Sequence, residues 1–191
     1  MEHSVSTLKT NTIQAATGTT VSIASGQVLT QPGSIIQVLQ ETKTATVTVA
    51  NGANAGIISK AITPKFATSK ILVRCSLSLA GAINSYGYCR LFRQISGQTA
   101  VTTGVSDQAS GSQINASFEV MTKNWTYQGY RESLHAFEFL DSPSTTTATT
   151  YEINMACTSG NVYLNRSDTV VTDNVWTPAP MSTLTLMEIA Q

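Results

Sequence analysis

The stretch SKILVRCSLSLAG, residues 69–81, alternates apolar side chains with mostly polar ones. A period of two places successive side chains on opposite faces of an extended chain, so the stretch predicts a half-buried β-strand. A helix would need apolar residues three and four positions apart, and no such pattern is sustained along the chain. The predicted apolar face carries Ile71, Val73, Cys75, Leu77 and Leu79.

Further strand-like runs lie on both sides of this stretch, separated by Gly, Asn, Ser and Pro. TATVTVA (44–50) ends at Asn51-Gly52, a dipeptide typical of a tight turn. Eight or more such runs, with turns about 8–12 residues apart, predict an all-β sandwich or jelly roll. In YGYCRLFRQIS (86–96), one predicted face carries Tyr86, Tyr88, Arg90, Phe92 and Gln94, and the other includes Cys89, Leu91 and Ile95.

The composition argues against several classes of protein. Of the 191 residues, 29 are Thr and 21 are Ser, only 12% are charged, and the formal net charge is zero. We therefore expect no nucleic-acid partner. No apolar run approaches the roughly 18 residues of a spanning helix, and none forms a signal peptide. We therefore expect that the chain is made in a cytoplasm and does not insert into a membrane. A surface rich in hydroxyls is typical of a protein packed into an assembly.

The pattern divides the chain into an N-terminal attachment arm, residues 1–37, and a β-sandwich head domain, residues 38–191. The arm consists of short polar strands separated by Thr17-Gly18 and Ser25-Gly26. It has too little apolar surface to offset the entropy cost of folding alone, so we predict an extended β-rich arm that orders against a partner or its own copies. Its main predicted contact residues are Leu8, Asn11, Ile13, Val21, Ile23, Val28 and Leu29.

Histidine and cysteine give little sign of a catalytic or metal site. His3 and His135 are the two histidines, and neither has zinc-ligand spacing, so we interpret His135 as a half-buried strand residue, with metal ligation as the alternative. Cys75, Cys89 and Cys157 are interpreted as reduced, buried thiols, with a Cys75–Cys89 bridge as the alternative. Nucleophile elbows and phosphate-binding loops are missing. We predict no enzyme activity, no metal and no cofactor.

The acidic residues leave one enzymatic alternative open. Glycoside hydrolysis needs two carboxylates about 5–9.5 Å apart, and a polysaccharide-degrading spike is therefore the most distant of three hypotheses. The sequence does not reveal which acids would pair. The available acids are Glu119, Glu132, Glu138, Asp141 and Glu152.

The aromatic segment NWTYQGYRESLH, residues 124–135, is the leading candidate for partner contact. Aromatic rings beside Arg and Asn suit the face of a sugar or a protein hot spot. The alternative is that these rings pack the sandwich or a subunit interface, and Trp176 has the same ambiguity. The candidate contacts for a host-surface glycan or protein are Trp125, Tyr127, Tyr130 and Arg131.

Two stretches nearer the C-terminus bear on the order of the strands. DSPSTTTATTY (141–151) has low complexity and predicts an exposed loop between two strands, with a disordered interdomain linker as the alternative. STLTLMEIA, which follows Met181, predicts a closing strand that is tied into a sheet.

Three parts of the chain together resemble fibre-like virion proteins of tailed phages, especially those of marine and cyanobacterial hosts. The opening STLKTNTIQAATGTTVSIASGQVL (6–29) is similar to their N-terminal motif, although Ala24 stands where the family has proline. AITPKFATSKILV (61–73) is the second match, and FLDSPSTTTATTYEI (139–153) with STLTLMEI (182–189) is the third. In the opening motif the matching residues are Thr7, Leu8, Asn11, Ile13, Gln14, Ser25 and Gly26.

The resemblance implies a β-sandwich that assembles as a homotrimer in the virion and is attached by its N-terminal arm. It implies other virion proteins, of the tail or the capsid, as partners. The chain differs from a long fibre because it has one arm and one head, with no shaft or repeat. Two hypotheses follow: a trimeric tail-fibre or receptor-binding protein, and a trimeric capsid decoration (cement) or head-fibre protein.

Overall fold

The structure is a computed structural model that describes residue 17 and residues 31–107, 111–121, 132–168 and 180–191. The described residues from Gln31 onwards belong to one unit and contain β-strands and no helix. None of this part of the chain could therefore cross a membrane as a helix. The strands are β1 (Ile35–Lys43), β2 (Val47–Ala50), β3 (Asn54–Ile62), β4 (Lys70–Gly81), β5 (Tyr86–Ile95), β6 (Val101–Thr103), β7 (Phe118–Met121), β8 (Ser133–Asp141), β9 (Thr149–Ser159), β10 (Asn161–Leu164) and β11 (Ser182–Ile189).

The strands form two antiparallel sheets, which confirms the predicted all-β sandwich. In the first sheet the order is β1-β11-β4-β10-β2, and β8 pairs with β4 along its other edge. In the second sheet the order is β3-β9-β5-β6, and β7 also pairs with β5. The long central strands, β4 in the first sheet and β9 in the second, therefore have neighbours on both edges. Their backbone hydrogen bonds are made within the sheet.

The core lies between the two sheets and follows the alternation of the sequence. All five residues of the predicted apolar face of β4 are completely buried. A fully buried side chain of this kind contributes about 1.5–3 kcal/mol relative to an exposed one, so the facing strands hold the sheets together mainly by apolar contact. The other strands supply Cys89 and Leu91 from β5, Tyr151, Ile153 and Met155 from β9, and Leu184 and Leu186 from β11.

The chain enters the first sheet just before β1. The amide of Gly33 donates to the carbonyl of Ala190 at 2.8 Å, and the amide of Ala190 donates to the carbonyl of Ser34 at 2.9 Å. β11 lies between β1 and β4, which confirms the prediction that the closing strand is tied into a sheet. The predicted boundary between residues 37 and 38 falls within β1, and the division of labour between arm and head stays a prediction.

The prediction of an exposed loop over residues 141–151 is wrong at both ends. Asp141 ends β8 and is only 5% exposed, while Thr149 and Tyr151 are completely buried in β9. The mostly exposed connection is limited to residues 142–148. Thr and Tyr both favour strands, and the central strand β9 begins within the run 141–151. The low complexity of the run made it resemble a loop.

The first turn of the head agrees with the sequence, although the strand before it is shorter than predicted. Asn51-Gly52 forms a turn, and Gly52 has a φ of +75°, which glycine adopts without steric cost. The strand β2 covers Val47–Ala50, whereas the alternating run begins at residue 44. Residues 44–46 lie outside the strand.

Candidate functional site

A buried polar cluster joins the two sheets at Asp141. Arg93 Nη1 donates to both carboxylate oxygens of Asp141, each at 2.9 Å, and the Tyr151 hydroxyl donates to one of them at 2.7 Å. Asp141 belongs to the first sheet, whereas Arg93 and Tyr151 belong to the second. The cluster therefore ties the sheets by charge-assisted hydrogen bonds in addition to apolar packing.

The electrostatics of this cluster keep Tyr151 as a proton donor. Burial, followed by the hydrogen bond to the Asp141 carboxylate and its charge, raises the pKa of Tyr151 well above its ordinary value. The hydroxyl stays protonated, and the carboxylate is occupied by the guanidinium and the phenol together. A carboxylate held in this way stabilises the fold and is poorly placed to accept a substrate proton.

His135 lies between the sheets beside aromatic neighbours. Its ring is stacked on Phe118 with centroids 5.9 Å apart, and its Nε2 is hydrogen-bonded to the Ser133 hydroxyl at 2.7 Å. Burial lowers the pKa of His135, which favours the neutral ring. This placement agrees with the interpretation of a half-buried strand histidine. In the described ranges, no three His, Cys, Asp or Glu side chains converge as a metal site would require.

The three cysteines are free and buried. Cys75 lies on β4 of the first sheet and Cys89 on β5 of the second, so they are not on neighbouring strands as a cross-strand bridge would require. Burial raises the pKa of Cys75 to about 12 and that of Cys89 higher still. Both thiols are therefore protonated and poorly nucleophilic at neutral pH.

The acids considered for glycoside hydrolysis are distributed over different strands and partners. Glu138 pairs with Arg74 at 3.0 Å, and Glu132 accepts from the Ser78 hydroxyl at 2.7 Å. Asp141 is held by the buried cluster. The two others, Glu119 and Glu152, lie on the second sheet.

The outward face of the first sheet carries an apolar row that crosses four strands. Val38 of β1 is opposite Met187 of β11, Met187 is opposite Leu72 of β4, and Leu72 is opposite Leu140 of β8. Val38 is 52% exposed and Leu140 is 45% exposed, while Leu72 and Met187 are partly buried. We call these four residues the apolar row.

The neighbouring row of the same face is polar and internally paired. Gln40 Nε2 donates to Thr185 Oγ1 at 2.9 Å, and Arg74 forms its ion pair with Glu138. These residues are in register with one another across the same four strands. Protein–protein contacts often have apolar residues at their centre and polar residues at their rim, and the two rows have this composition.

The residues proposed for attachment and partner contact lie outside the described part of the chain. This holds for the arm residues Leu8, Asn11, Ile13, Val21, Ile23, Val28 and Leu29. It also holds for Trp125, Tyr127, Tyr130 and Arg131. Their roles stay predictions.

The sequence interpretation missed the apolar row because it depends on strand register. On β4, for example, Leu72 is an apolar residue on a mostly polar side, between the inward-facing Ile71 and Val73. One exposed apolar residue on a strand is ordinary. An available signal was that Val38, Leu72, Leu140 and Met187 all break the alternation of their own strands.

No protein-family model and no curated protein matches the chain. Among solved structures, the chain is similar to that of the infectious bursal disease virus Gt strain, with 12% identity and a TM-score of 0.46 over 90% of this chain and 42% of the viral chain. T=1 particles derived from a mutant VP2 protein of this virus match with 13% identity and a TM-score of 0.42, over 90% and 40% of the two chains. The VP2 subviral particle matches with 12% identity and a TM-score of 0.38, over 81% and 38%.

This chain thus spans about two fifths of the length of those viral chains. At TM-scores below 0.5 the similarity is too distant to support an argument about function.

Proposed function

We propose that this chain is a structural protein of a virus particle, a β-sandwich module that assembles with copies of itself through the apolar row. The observation that supports this proposal is the alignment of Val38, Met187, Leu72 and Leu140 on one outward face. Burying exposed apolar surface between two copies would favour their association by about 25 cal/mol per Å². The strand register already makes the row continuous across the sheet. Association therefore needs no rearrangement of the backbone.

A second copy of the chain is the occupant that the charges favour. Arg74 and Glu138, beside the row, pair within the chain, and the whole chain has a formal net charge of zero. Identical faces can then approach without net electrostatic repulsion. In a cyclic trimer, the row would lie along the three-fold axis, where its residues meet the same residues of the two other copies, while the flanking surfaces meet different ones.

The finer proposal is a trimeric tail-fibre or receptor-binding module of a tailed phage, located in the virion and attached through residues 1–37. The resemblance of the opening segment and of residues 61–73 to phage fibre-like proteins supports it. The alternative is a trimeric capsid decoration (cement) or head-fibre protein. Both roles use the same arm and the same sandwich.

We propose assembly and binding in place of catalysis. Asp141 is occupied by Arg93 and Tyr151, and the thiols of Cys75 and Cys89 are buried and protonated at neutral pH. These groups stabilise the fold. The proposal includes no cofactor and no resident metal.

Copy number in purified particles tests the proposal and separates its two forms. On a denaturing gel, the band of this chain is compared with that of the major capsid protein. A few trimers per particle are expected for a tail fibre, and hundreds of chains for a decoration protein. Absence of the chain from purified particles would overturn the virion role altogether.

Deletion of residues 1–30 tests attachment by the arm. This deletion spares Gly33, Ser34 and the strand β1, which are hydrogen-bonded into the first sheet. We expect near-native melting with loss of incorporation into particles. Incorporation at the normal level would place the attachment site on the sandwich.

A further inference from the structure

The outward face of the second sheet carries two adjoining concavities. The larger has a volume of about 250 Å³ and is lined by Phe92, Gln94, Ala100, Thr150, Glu152 and Asn154. The smaller, of about 190 Å³, is lined partly by Lys43, Gly56 and Ser59, and Glu152 lines it as well. One carboxylate thus stands between two open concavities.

Strand register makes this arrangement. Phe92 of β5 is opposite Glu152 of β9, and Glu152 is opposite Ser59 of β3. Neighbouring strands are about 4.8 Å apart, so the path from β5 across β9 to β3 is roughly 10 Å long. We call this path, with both concavities, the β9 groove.

Gly56 makes room for the carboxylate at the centre of the groove. A Cβ built at Gly56 would lie 2.6 Å from the carboxyl carbon of Glu152. The register of β3 shifts between Gly56 and Ile58, which brings the glycine beneath the side chain. Within the described ranges, no hydrogen bond or ion pair uses the Glu152 carboxylate. Its oxygens are free to accept hydrogen bonds from a ligand.

The chemistry of the lining selects a ligand with an apolar face and a rim of hydroxyl groups. Phe92 provides an aromatic wall, while Gln94, Asn154 and Thr150 provide donors and acceptors around it. Binding sites for small ligands combine an apolar surface with a few placed polar groups of this kind. A pyranose ring has this character, because its C–H groups form an apolar face and its hydroxyls project from the edge.

The charge of the groove selects among sugars. Glu152 is the only ionisable side chain that lines the larger concavity, among the residues that the structure describes there. A uronic or sialic acid would place a second anion beside it. In the smaller concavity Glu41 pairs with Lys60 at 3.1 Å, and the lining cation Lys43 is offset by the charge of Glu152. The groove therefore favours neutral sugars over acidic ones.

We infer that the β9 groove binds a neutral glycan, with one sugar ring over Phe92 and the next beyond Glu152, toward Ser59. This inference goes beyond particle assembly and deepens the receptor-binding form of the proposed function, on which it rests for its biological use. None of the residues that line the groove belongs to the segment 124–135 that the sequence indicated.

Saturation-transfer NMR on the full chain tests the inference. The probes are the neutral disaccharides maltose, cellobiose, lactose and diacetylchitobiose, and the acidic sugars digalacturonate and sialyllactose, all at millimolar concentration. We expect transfer to at least one neutral disaccharide and weaker binding of the acidic sugars. No transfer to any neutral probe, or equal binding of the acidic ones, would overturn the inference.

Two substitutions locate the binding at the groove. Glu152→Ala removes the carboxylate, and Gly56→Ala keeps it but forces it to turn aside. Each should weaken binding about tenfold, the effect of losing one charge-assisted hydrogen bond. Glu119→Ala is the matched control, because Glu119 is an exposed acid on the same sheet outside both concavities.

The control should bind like the unmodified chain. Unchanged binding by Gly56→Ala and Glu152→Ala would exclude the groove, whatever the result of the particle experiments. Conversely, binding by the isolated chain would stand even if the chain proved absent from virus particles. The two proposals can therefore fail separately.

Discussion

The two outward faces of the sandwich differ in what the register aligns across their strands. On the first sheet, Val38, Met187, Leu72 and Leu140 form an apolar row, and the nearby charges of Arg74 and Glu138 are paired. On the second sheet, the aligned residues are Phe92, Glu152 and Ser59, and the carboxylate among them has no partner in the described part of the chain. We propose a second copy of the chain as the partner of one face and a hydroxyl-rich ligand as the partner of the other.

This difference shows how one core can support two surfaces. Most inward side chains of both sheets are apolar and buried, and the cluster of Arg93, Asp141 and Tyr151 adds polar contacts between the sheets, so together they fix the strands and their register. The outward residues then make little contribution to folding and are free to serve assembly or binding. Each face depends on the register of the strands, and therefore on the contacts that hold the two sheets together.

The largest expected effect separates the buried ion pair from the exposed one on the same strand. Asp141→Ala leaves Arg93 without its partner between the sheets, and it should lower the free energy of unfolding by about 3–5 kcal/mol. Glu138→Ala breaks the exposed pair with Arg74 and should cost about 0–1 kcal/mol. Urea unfolding of the two variants measures both values. Equal losses would show that Asp141 does not tie the sheets.

Sequence alternation identifies the core but not the outward surfaces. The inward face of β4 is confirmed residue by residue, because alternation alone assigns these side chains to one face. The β9 groove requires Phe92 and Glu152 to be opposite each other, although they are 60 positions apart in the sequence, and the bulge near Gly56 adds a shift that no pattern predicts. Asp141 was assigned to a loop because the Ser/Thr-rich run after it hid the pairing of the strands.

The contribution of Tyr151 to the free energy of unfolding should depend on pH in the alkaline range. Above about pH 10 tyrosine ionises in the unfolded chain, whereas the raised pKa of Tyr151 keeps it protonated in the folded chain. The folded chain then binds more protons, so the free energy of unfolding falls by about 1.4 kcal/mol per pH unit from this residue. Tyr151→Phe should cost about 1–3 kcal/mol at pH 9 by leaving Asp141 short of a donor.

The difference between the wild type and Tyr151→Phe should therefore shrink between pH 9 and pH 11, as measured by urea unfolding at both values. A difference that stays constant or grows would contradict the assignment of the raised pKa to this buried hydroxyl.

The smallest expected effect is that of reductant and chelator, neither of which should change the thermal stability of the sandwich that carries both faces. Cys75, Cys89 and Cys157 are free, so reductant has no bond among them to break. We predict no shift in melting temperature with either reagent. For a chain of this size, a loss of 1 kcal/mol would shift it by about 2–4 °C, which scanning calorimetry resolves. Such a shift would indicate a stabilising disulfide or metal.

Sedimentation of the full chain at micromolar concentration tests most directly whether the apolar row is an assembly surface. We predict a species of three times the chain mass of 20.3 kDa for the wild type. Leu140→Lys should shift it to monomer, while Ala136→Lys, an exposed position on the same strand, should leave it intact. A well-folded wild-type monomer, or an assembly that Leu140→Lys does not weaken, would contradict the account.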